Sequence, residues 1–286
     1  MAATLTQDPK TTPFTTDTQW VTFHLDNQLY AFSIETVREM VLLPELSAVP
    51  HTPPHILGVV SLRDSTIAVL DLRVRLGMAS LEQQRHDLIE NLKKRKQDHV
   101  DWLTALRTAV REGTPFTKAT DPHKCAFGVW YDGYKTDDLA LAALLKKFDE
   151  PHNAIHGVAG HVLALEKEQK HDEAEKLMSR VEGRELKQMV DLFDMVITLL
   201  AKDEKRITVI VELPDGVCGM TVDSVESVIT LRPEEINPSP EMSTASKGKD
   251  VILGVAKPKG WEKMILLLDP SRLVGKEEIR ISQPRQ

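Results

Sequence analysis

The stretch FSIETVREMV at residues 32–41 recurs as MTVDSVESVI at residues 220–229. Apolar and acidic residues occupy corresponding positions in the two copies, and the segments that follow them are repeated in the same order. These segments are ILGV at 56–59 and IAVLDL at 67–72 in the first copy, and ILGV at 252–255 and MILLLD at 264–269 in the second. Self-similarity of this kind indicates structural units of one design. The sequence therefore predicts two half-repeats with a segment inserted between them.

Both halves have the pattern of short β-strands joined by tight turns. VTFHL and LYAFSI flank the turn-forming pair Asp26 and Asn27, and ITVIVEL and VCGMTV flank ProAspGly at 214–216. Further hairpin turns are indicated at ArgAspSer 63–65 and ProLysGly 258–260. Strands that are this short, with alternating Val and Ile, are typical of small barrels. We therefore expect two small β-barrels side by side.

The segment between the halves has a helical pattern instead. In its first part, apolar residues and one histidine recur every three or four residues on one face: Leu81, Leu88, Leu92, His99, Leu103, Leu106 and Val110. Residues 139–148, 152–165 and 186–200 show the same periodicity. Four amphipathic helices with short connections predict an antiparallel four-helix bundle, inserted at an exposed loop of the β part.

The expected fold class is therefore α+β and multidomain. The predicted divisions are a disordered tail at 1–17, the first β half at 18–80, the helical insert at 81–202, the second β half at 203–275 and a tail at 276–286.

Composition restricts the function classes. Of the 286 residues, 41% are hydrophobic and 28% are charged, which is typical of a globular protein. No apolar run approaches the roughly 18 residues that span a bilayer, and two distant cysteines, Cys125 and Cys218, are typical of a reducing compartment. We expect a cytoplasmic protein without membrane insertion. A net charge of −7 disfavours nucleic acid as a partner, and the basic run at 93–96 lies in a helical pattern between acidic residues.

One cysteine and three histidines of the insert are candidate metal ligands. His99 occupies an apolar-face position, and His152 and His156, four residues apart, share one helix face. Cys125 lies in CAFGVWY, where aromatic residues can anchor the segment in a core. One thiolate and three neutral imidazoles form a set that suits zinc. On spacing alone, hydrogen-bonded core histidines remain an alternative, because HxxxH also arises on ordinary helices.

Three motifs of the insert, in this order, resemble the chemoreceptor zinc-binding (CZB) domain. They are His99-x-x-Trp102, Cys125-x-Phe127-Gly128-x-Trp130 and His152-x-x-x-His156. The resemblance covers most of residues 81–202, and it implies that zinc is bound by His99, Cys125, His152 and His156. Asp98 and Asp101 flank the first histidine and are candidates to orient its ring, with plain solvent exposure as an equal alternative.

The flanking halves resemble the CheW-type coupling domain over roughly residues 18–76 and 206–274. The motifs that carry this resemblance include TyrAlaPheSerIle at 30–34, ValPro at 49–50, IleLeuGlyVal at 56–59 and ValLeuAspLeuArg at 69–73. That family is built as a pair of five-stranded, SH3-like barrels. The resemblance implies a chemotaxis histidine kinase and the cytoplasmic tips of chemoreceptors as partners, with Gly58 and Arg63 as candidate contact residues. A homo-oligomer is compatible with it. Asp64 stands where the family commonly has Gly, which affects how the hairpin presents Arg63.

The leading interpretation is a non-enzymatic adaptor whose insert senses zinc or an oxidant such as hypochlorous acid, with Cys125 as the redox switch. Two alternatives stay open. In one, the zinc is purely structural and the protein is a constitutive scaffold. The other is a zinc hydrolase, which is disfavoured because HNAIH at 152–156 lacks the Glu of HExxH. Cys218 lies in a strand pattern and is expected to be buried and inert.

Overall fold

The computed structural model describes residues 14–43, 45–62, 65–136, 138–202, 206–238, 251–275, 278, 279 and 281. The fold is mixed α+β, with two sheets and a helical insert, and it divides into two compact units. The β unit consists of residues up to Leu81 and from 204 onward, and the helical unit consists of residues 82–203. Most of both predicted tails, and Arg63 and Asp64, lie outside the described residues. Within the described ranges, no helix is both long and apolar enough to cross a membrane.

Within the described residues, the β unit contains eleven strands. They are β1 (Thr18–Leu25), β2 (Gln28–Ser33), β3 (Val37–Leu42), β4 (Ile56–Leu62), β5 (Ser65–Asp71), β6 (Ile207–Leu213), β7 (Gly216–Val222), β8 (Ser224–Leu231), β9 (Ile236–Asn237), β10 (Ile252–Ala256) and β11 (Ile265–Leu268). The predicted hairpins β1–β2 and β6–β7 are confirmed as antiparallel pairs. Asp26, in the first turn, has a φ of 56°, a left-handed conformation that Asp tolerates.

Each sheet contains strands from both halves of the repeat. The six-stranded sheet has the order β8-β1-β2-β11-β10-β9, and the five-stranded sheet has the order β3-β6-β7-β5-β4. A 3₁₀ turn at Ile34–Thr36 follows β2, and β3 then pairs with β6 instead of returning to its own hairpin. The second half shows the equivalent exchange, because β8 pairs with β1 of the first half. Each sheet also has one parallel pair between the halves: β2 with β11 in one sheet, and β5 with β7 in the other. The strand pairing therefore follows the internal repeat, but each half contributes strands to both sheets.

A buried ion pair also joins the two halves. The short helix α1 (Leu72–Arg75) follows β5, and Asp71 caps it by accepting a hydrogen bond from the Val74 N–H. Arg73 is 5% exposed and donates from Nε and Nη2 to the two carboxylate oxygens of Asp223, at 2.7 and 2.5 Å. A bidentate pair of this kind offsets much of the cost of burying a guanidinium group.

Within the described residues, the helical unit has six helices where periodicity predicted four. Its helices are α2 (Leu81–Glu112), α3 (Ala126–Gly133), α4 (Leu139–Leu145), α5 (Asp149–Lys167), α6 (His171–Val181) and α7 (Lys187–Leu200), followed in the β unit by α8 (Pro270–Leu273). A 3₁₀ turn at 146–148 joins α4 to α5, and a π-helical turn at 182–186 joins α6 to α7. The predicted helices at 139–148 and 152–165 therefore belong to one run, because Pro151 lies in the first turn of α5, where proline is tolerated.

The core of the helical unit is aromatic at its centre. The rings of Phe127, Phe148 and Phe193 are at most 1% exposed, and their centroids lie 4.8 to 5.2 Å apart. These rings come from α3, the 3₁₀ turn and α7, so the short helix α3, which periodicity did not predict, is packed into the centre of the unit.

Candidate metal centre

The structure brings the four predicted ligands of the insert together. His99, Cys125, His152 and His156 each offer one ligand atom, and all these atoms lie within 4.8 Å of one another. The sulfur of Cys125 lies 3.2 Å from Nε2 of His152 and 4.0 Å from Nε2 of His99. The three histidines are 1–4% exposed. Residues from α2, from the start of α3 and from α5 thus converge on one buried point.

Helical periodicity explains why the histidines point inward. His99 follows Leu92 and precedes Leu103 on the buried face of α2. His152 and His156 lie one turn apart on α5, next to the buried side chain of Ile155. The ring of Phe127 packs edge-on against His99 and His152, at centroid distances of 5.7 and 5.0 Å. The imidazoles therefore lie in an apolar, water-poor environment.

Cys125 is held by the beginning of α3. It is the N-cap residue of this helix, and its sulfur accepts a hydrogen bond from the Gly128 N–H at 3.2 Å. A Cβ atom at position 128 would lie 1.9 Å from the carbonyl oxygen of Pro122, so only glycine lets α3 pack against the preceding turn. Burial raises the pKa of the Cys125 thiol, and the N–H groups of Gly128 and Phe127 oppose that rise. The Cys-x-Phe-Gly motif thus positions a sulfur at a helix N-terminus, where a thiolate is stabilised.

Backbone carbonyls orient two of the imidazoles. Nδ1 of His99 lies 2.7 Å from the carbonyl oxygen of Arg95, and Nδ1 of His156 lies 3.0 Å from that of Ala119. A carbonyl oxygen only accepts, so Nδ1 carries the proton in both rings and Nε2 keeps its lone pair. The two Nε2 atoms that belong to the cluster are therefore the ones available to a metal.

The two aspartates proposed as orienting acceptors have other partners. Asp98 forms an ion pair with Arg95 at 3.1 Å, and Asp101 accepts a hydrogen bond from the side chain of Gln97 at 2.8 Å. Neither of these contacts involves the ring of His99. On a helix, residues one or two positions from His99 point away from its face, whereas the carbonyl four residues earlier lies below it.

The electrostatic environment keeps the imidazoles neutral. Burial lowers the pKa of His99, and burial followed by the proximity of His99 lowers the pKa of His152 to about 3 and that of His156 to about 4. The neutral imidazole is the form that binds metals. Nε2 of His156 is buried and has no hydrogen-bond partner within the described part of the chain. A buried lone pair without a partner destabilises the fold, and a cation would satisfy it.

The donor set itself fits zinc. Three imidazole nitrogens and one sulfur form a mixed set that zinc accepts in tetrahedral coordination. The nearby His123 stands outside the cluster: its ring is exposed and pairs with Asp132 at 2.9 Å, which raises its pKa.

The remaining candidates lie in the β unit. Gly58 in β4 has a φ of +145°, and a Cβ atom there would lie 2.5 Å from the carbonyl oxygen of Ser47. This glycine therefore lets the segment around Ser47 pair with Val59, through N···O contacts of 2.8 and 2.9 Å. Cys218 is fully buried in β7. Arg63, the other candidate partner contact, lies outside the described residues.

Two family models match the chain. The model of the CheW-like domain matches residues 19–95 and 185–278, more than half of the chain. The chain belongs to the CheW-like family. The model of the chemoreceptor zinc-binding domain matches residues 99–163, between the two CheW-like segments, and this range includes all four ligand candidates. The resemblance identified from the sequence motifs is confirmed.

Individual relatives agree with the CheW-like family. The chain is 33% identical over 81 residues to a probable chemotaxis protein CheW of Rhizobium etli, which covers 28% of this chain and 52% of that protein. It is 33% identical over 70 residues to the chemotaxis protein CheW of Rhizobium meliloti, which covers 24% of this chain and 45% of that protein. The chain spans about half the length of the curated relatives it matches. The crystal structure of the scaffolding protein TtCheW from Thermoanaerobacter tengcongensis aligns with a TM-score of 0.43 and 17% identity, over 91% of this chain and 96% of that one.

Proposed function

We propose that this CheW-like chain is a non-enzymatic adaptor of a chemotaxis-type signalling array. In this proposal the β unit couples a histidine kinase to the cytoplasmic tips of chemoreceptors. The insert binds one zinc ion through His99, Cys125, His152 and His156, and it senses an oxidant through Cys125. One observation carries the proposal: three buried imidazoles and one thiol converge in a segment inserted within a CheW-like chain.

The number of ligands favours an adaptor over a hydrolase. Four protein ligands complete a tetrahedral zinc shell, whereas hydrolysis needs an open position for water and a nearby general base. Asp98 and Asp101, the carboxylates next to His99 in sequence, contact Arg95 and Gln97 instead of the cluster. These contacts support a closed site.

The position of Cys125 favours sensing over a purely structural role. Cys125 is a partly exposed residue, whereas the three histidines are buried, so it is the most accessible of the four candidate ligands to an oxidant. When zinc is bound, this sulfur would be held as a thiolate, the form that reacts with oxidants. The thiolate sulfur would give two electrons to hypochlorous acid and take up its OH group while the O–Cl bond breaks, so that the products are a sulfenic acid and chloride.

The oxidised sulfur has a structural consequence for α3. Because Cys125 caps this helix through the Gly128 N–H, a change at the sulfur alters the start of α3 directly. Phe127 follows two residues later and packs against His99 and His152. We expect α3 to loosen from α2 and α5 after oxidation.

Metal content is the first test. The purified full-length chain should contain about one zinc ion, by elemental analysis, and His152→Ala should lose it. His161→Ala is the matched control, because His161 lies on the same helix but is exposed. A metal-free wild-type chain, or equal zinc in both variants, would refute the proposed ligand set.

Coupling is the second test. The wild-type chain should bind a purified chemotaxis kinase and a receptor cytoplasmic fragment in a sedimentation assay. Brief hypochlorous acid treatment should change the amount bound for the wild type and leave Cys125→Ser unchanged. Absence of kinase binding would refute the adaptor role, and an equal oxidant response in both chains would leave zinc as a structural ion.

A further inference from the structure

The indole of Trp102 and the imidazole of His156 share one acceptor. Nε1 of Trp102 donates to the carbonyl oxygen of Ala119 at 2.7 Å, and Nδ1 of His156 donates to the same oxygen at 3.0 Å. The two rings lie 5.0 Å apart between centroids, and their residues are 4% and 1% exposed. A carbonyl oxygen has two lone pairs, so it satisfies both donors at once.

The shared carbonyl lies in a segment without regular secondary structure. Residues 113–121 connect the end of α2 to the turn that precedes α3. Trp102, on α2, fixes this segment at two points: its N–H holds Ala119, and its ring packs edge-on against Phe116 at 5.1 Å. Because no helix or strand constrains the Ala119 carbonyl, its position depends on this contact with α2.

We infer that Trp102 is a positioning residue of the metal centre. By holding the Ala119 carbonyl, it fixes the Nδ1–H form of His156 and turns Nε2 of that ring toward His99, Cys125 and His152. The inference rests on the proposed zinc function for its consequence on metal binding. The same segment leads into Cys125 six residues later, so one connection carries both the acceptor for His156 and the sulfur ligand.

Zinc affinity of the full-length chain provides the main test. Trp102→Phe keeps an aromatic ring beside Phe116 but removes the N–H donor, and contacts of this kind around a ligating histidine typically contribute about 10- to 100-fold in metal affinity. We expect a loss in that range, measured with zinc chloride against a competing chelator. Trp130→Phe is the matched control, because Trp130 packs through ring contacts on Phe127 and Tyr134 in the same aromatic core. The inference is overturned if the zinc affinity of Trp102→Phe lies within twofold of the zinc affinity of Trp130→Phe.

A second variant separates the hydrogen bond from packing. If Trp102→Phe fails to fold, 3-benzothienylalanine incorporated at position 102 keeps the shape of indole and replaces its N–H with sulfur. This chain should unfold at nearly the wild-type temperature without metal and still lose zinc affinity. Equal zinc affinity in this chain and the wild type overturns the inference.

A readout without metal distinguishes this inference from the proposed function. Long-range ¹⁵N–¹H spectra of the zinc-free chain should show the Nδ1–H form of His156 in the wild type and in Trp130→Phe, and a mixture of the two neutral forms once the N–H donor at position 102 is removed. If the wild type binds no zinc but these spectra change as expected, the zinc function fails and the positioning of His156 stands. Unchanged spectra overturn the positioning role.

Discussion

The β unit and the helical unit bury their polar side chains in different ways. In the β unit, the buried charges Asp71 and Arg73 have partners, since Arg73 binds Asp223 and Asp71 lies 3.5 Å from Arg206. In the helical unit, three buried histidines converge with a cysteine, and Nε2 of His156 has no partner among the residues that the structure describes. A buried ion pair with both partners in place maintains a fold, whereas a buried nitrogen without a partner, such as Nε2 of His156, destabilises it unless a ligand completes it. The contrast supports a structural role for the ion pair and the proposed binding role for the cluster of His99, Cys125, His152 and His156.

The two cysteines show the same contrast. Cys218 is fully buried in β7, and burial, followed by the charge of Glu278, raises its pKa to about 12. Cys125 is partly exposed and caps a helix. One sulfur belongs to a small buried side chain, and the other belongs to a candidate metal ligand.

The largest expected effect comes from separating the two halves of the repeat. A chain in which a short flexible linker replaces residues 81–202 should fold, because the β unit keeps all strands of both sheets. Residues 1–80 and 203–286 produced as separate chains should not fold alone, since each sheet requires strands from both halves. Circular dichroism and thermal unfolding provide the measurement. A cooperative transition in either isolated half, or none in the linked chain, would show that the sheets do not depend on the exchange.

The next effect tests the paired charges of the β unit. Arg73→Ala leaves the Asp223 carboxylate without its bidentate partner and should lower the free energy of unfolding of the β unit by about 3–5 kcal/mol. Zinc content should stay unchanged. Urea unfolding measures the free energy of unfolding, and elemental analysis measures the zinc content. Arg38→Ala, on the exposed face of β3, is the control. Loss of zinc in Arg73→Ala would contradict the separation of roles.

Acid should destabilise the zinc-free helical unit. A histidine of the unfolded chain takes up a proton near pH 6.5, whereas His152 and His156 in the fold do so only at about 3 and about 4. The unfolded state therefore binds more protons between these values, and stability that is present above pH 6.5 falls as the pH drops. Each of these two histidines changes the free energy of unfolding by up to about 1.4 kcal/mol per pH unit in this range. Urea unfolding followed at 222 nm should show a smaller slope for His152→Gln than for the wild type, and equal slopes would contradict the lowered pKa.

The smallest expected effect is a difference between the oxidation rates of the two cysteines. Hypochlorous acid should modify Cys125 at least about tenfold faster than Cys218, because the buried thiol of Cys218 does not ionise near neutral pH. Zinc release, followed with a chromogenic chelator, should match Cys125 modification mapped by mass spectrometry. Cys218→Ser should behave as the wild type, and Cys125→Ser should not respond. Cys218 oxidised first would remove the basis for sensing.

Much of the candidate site was predictable because its signals are local. His152 and His156 share a face through helical geometry alone, and His99 follows the apolar period of α2. The orienting acceptors were not predictable in this way. Every residue has a carbonyl, so nothing in the side chains of Arg95 and Ala119 marks them as acceptors for His99 and His156.

The sequence by itself determined the internal repeat, the two hairpins, the position of the insert and the identity of the four candidate ligands, because periodicity and turn chemistry act between residues close in the chain. Only the tertiary structure decided that β3 and β8 exchange between the halves, that α3 lies in the aromatic core, and that Ala119 accepts from both Trp102 and His156. These features depend on contacts between distant segments. Such contacts form where packing and backbone hydrogen bonding over the whole fold are satisfied together.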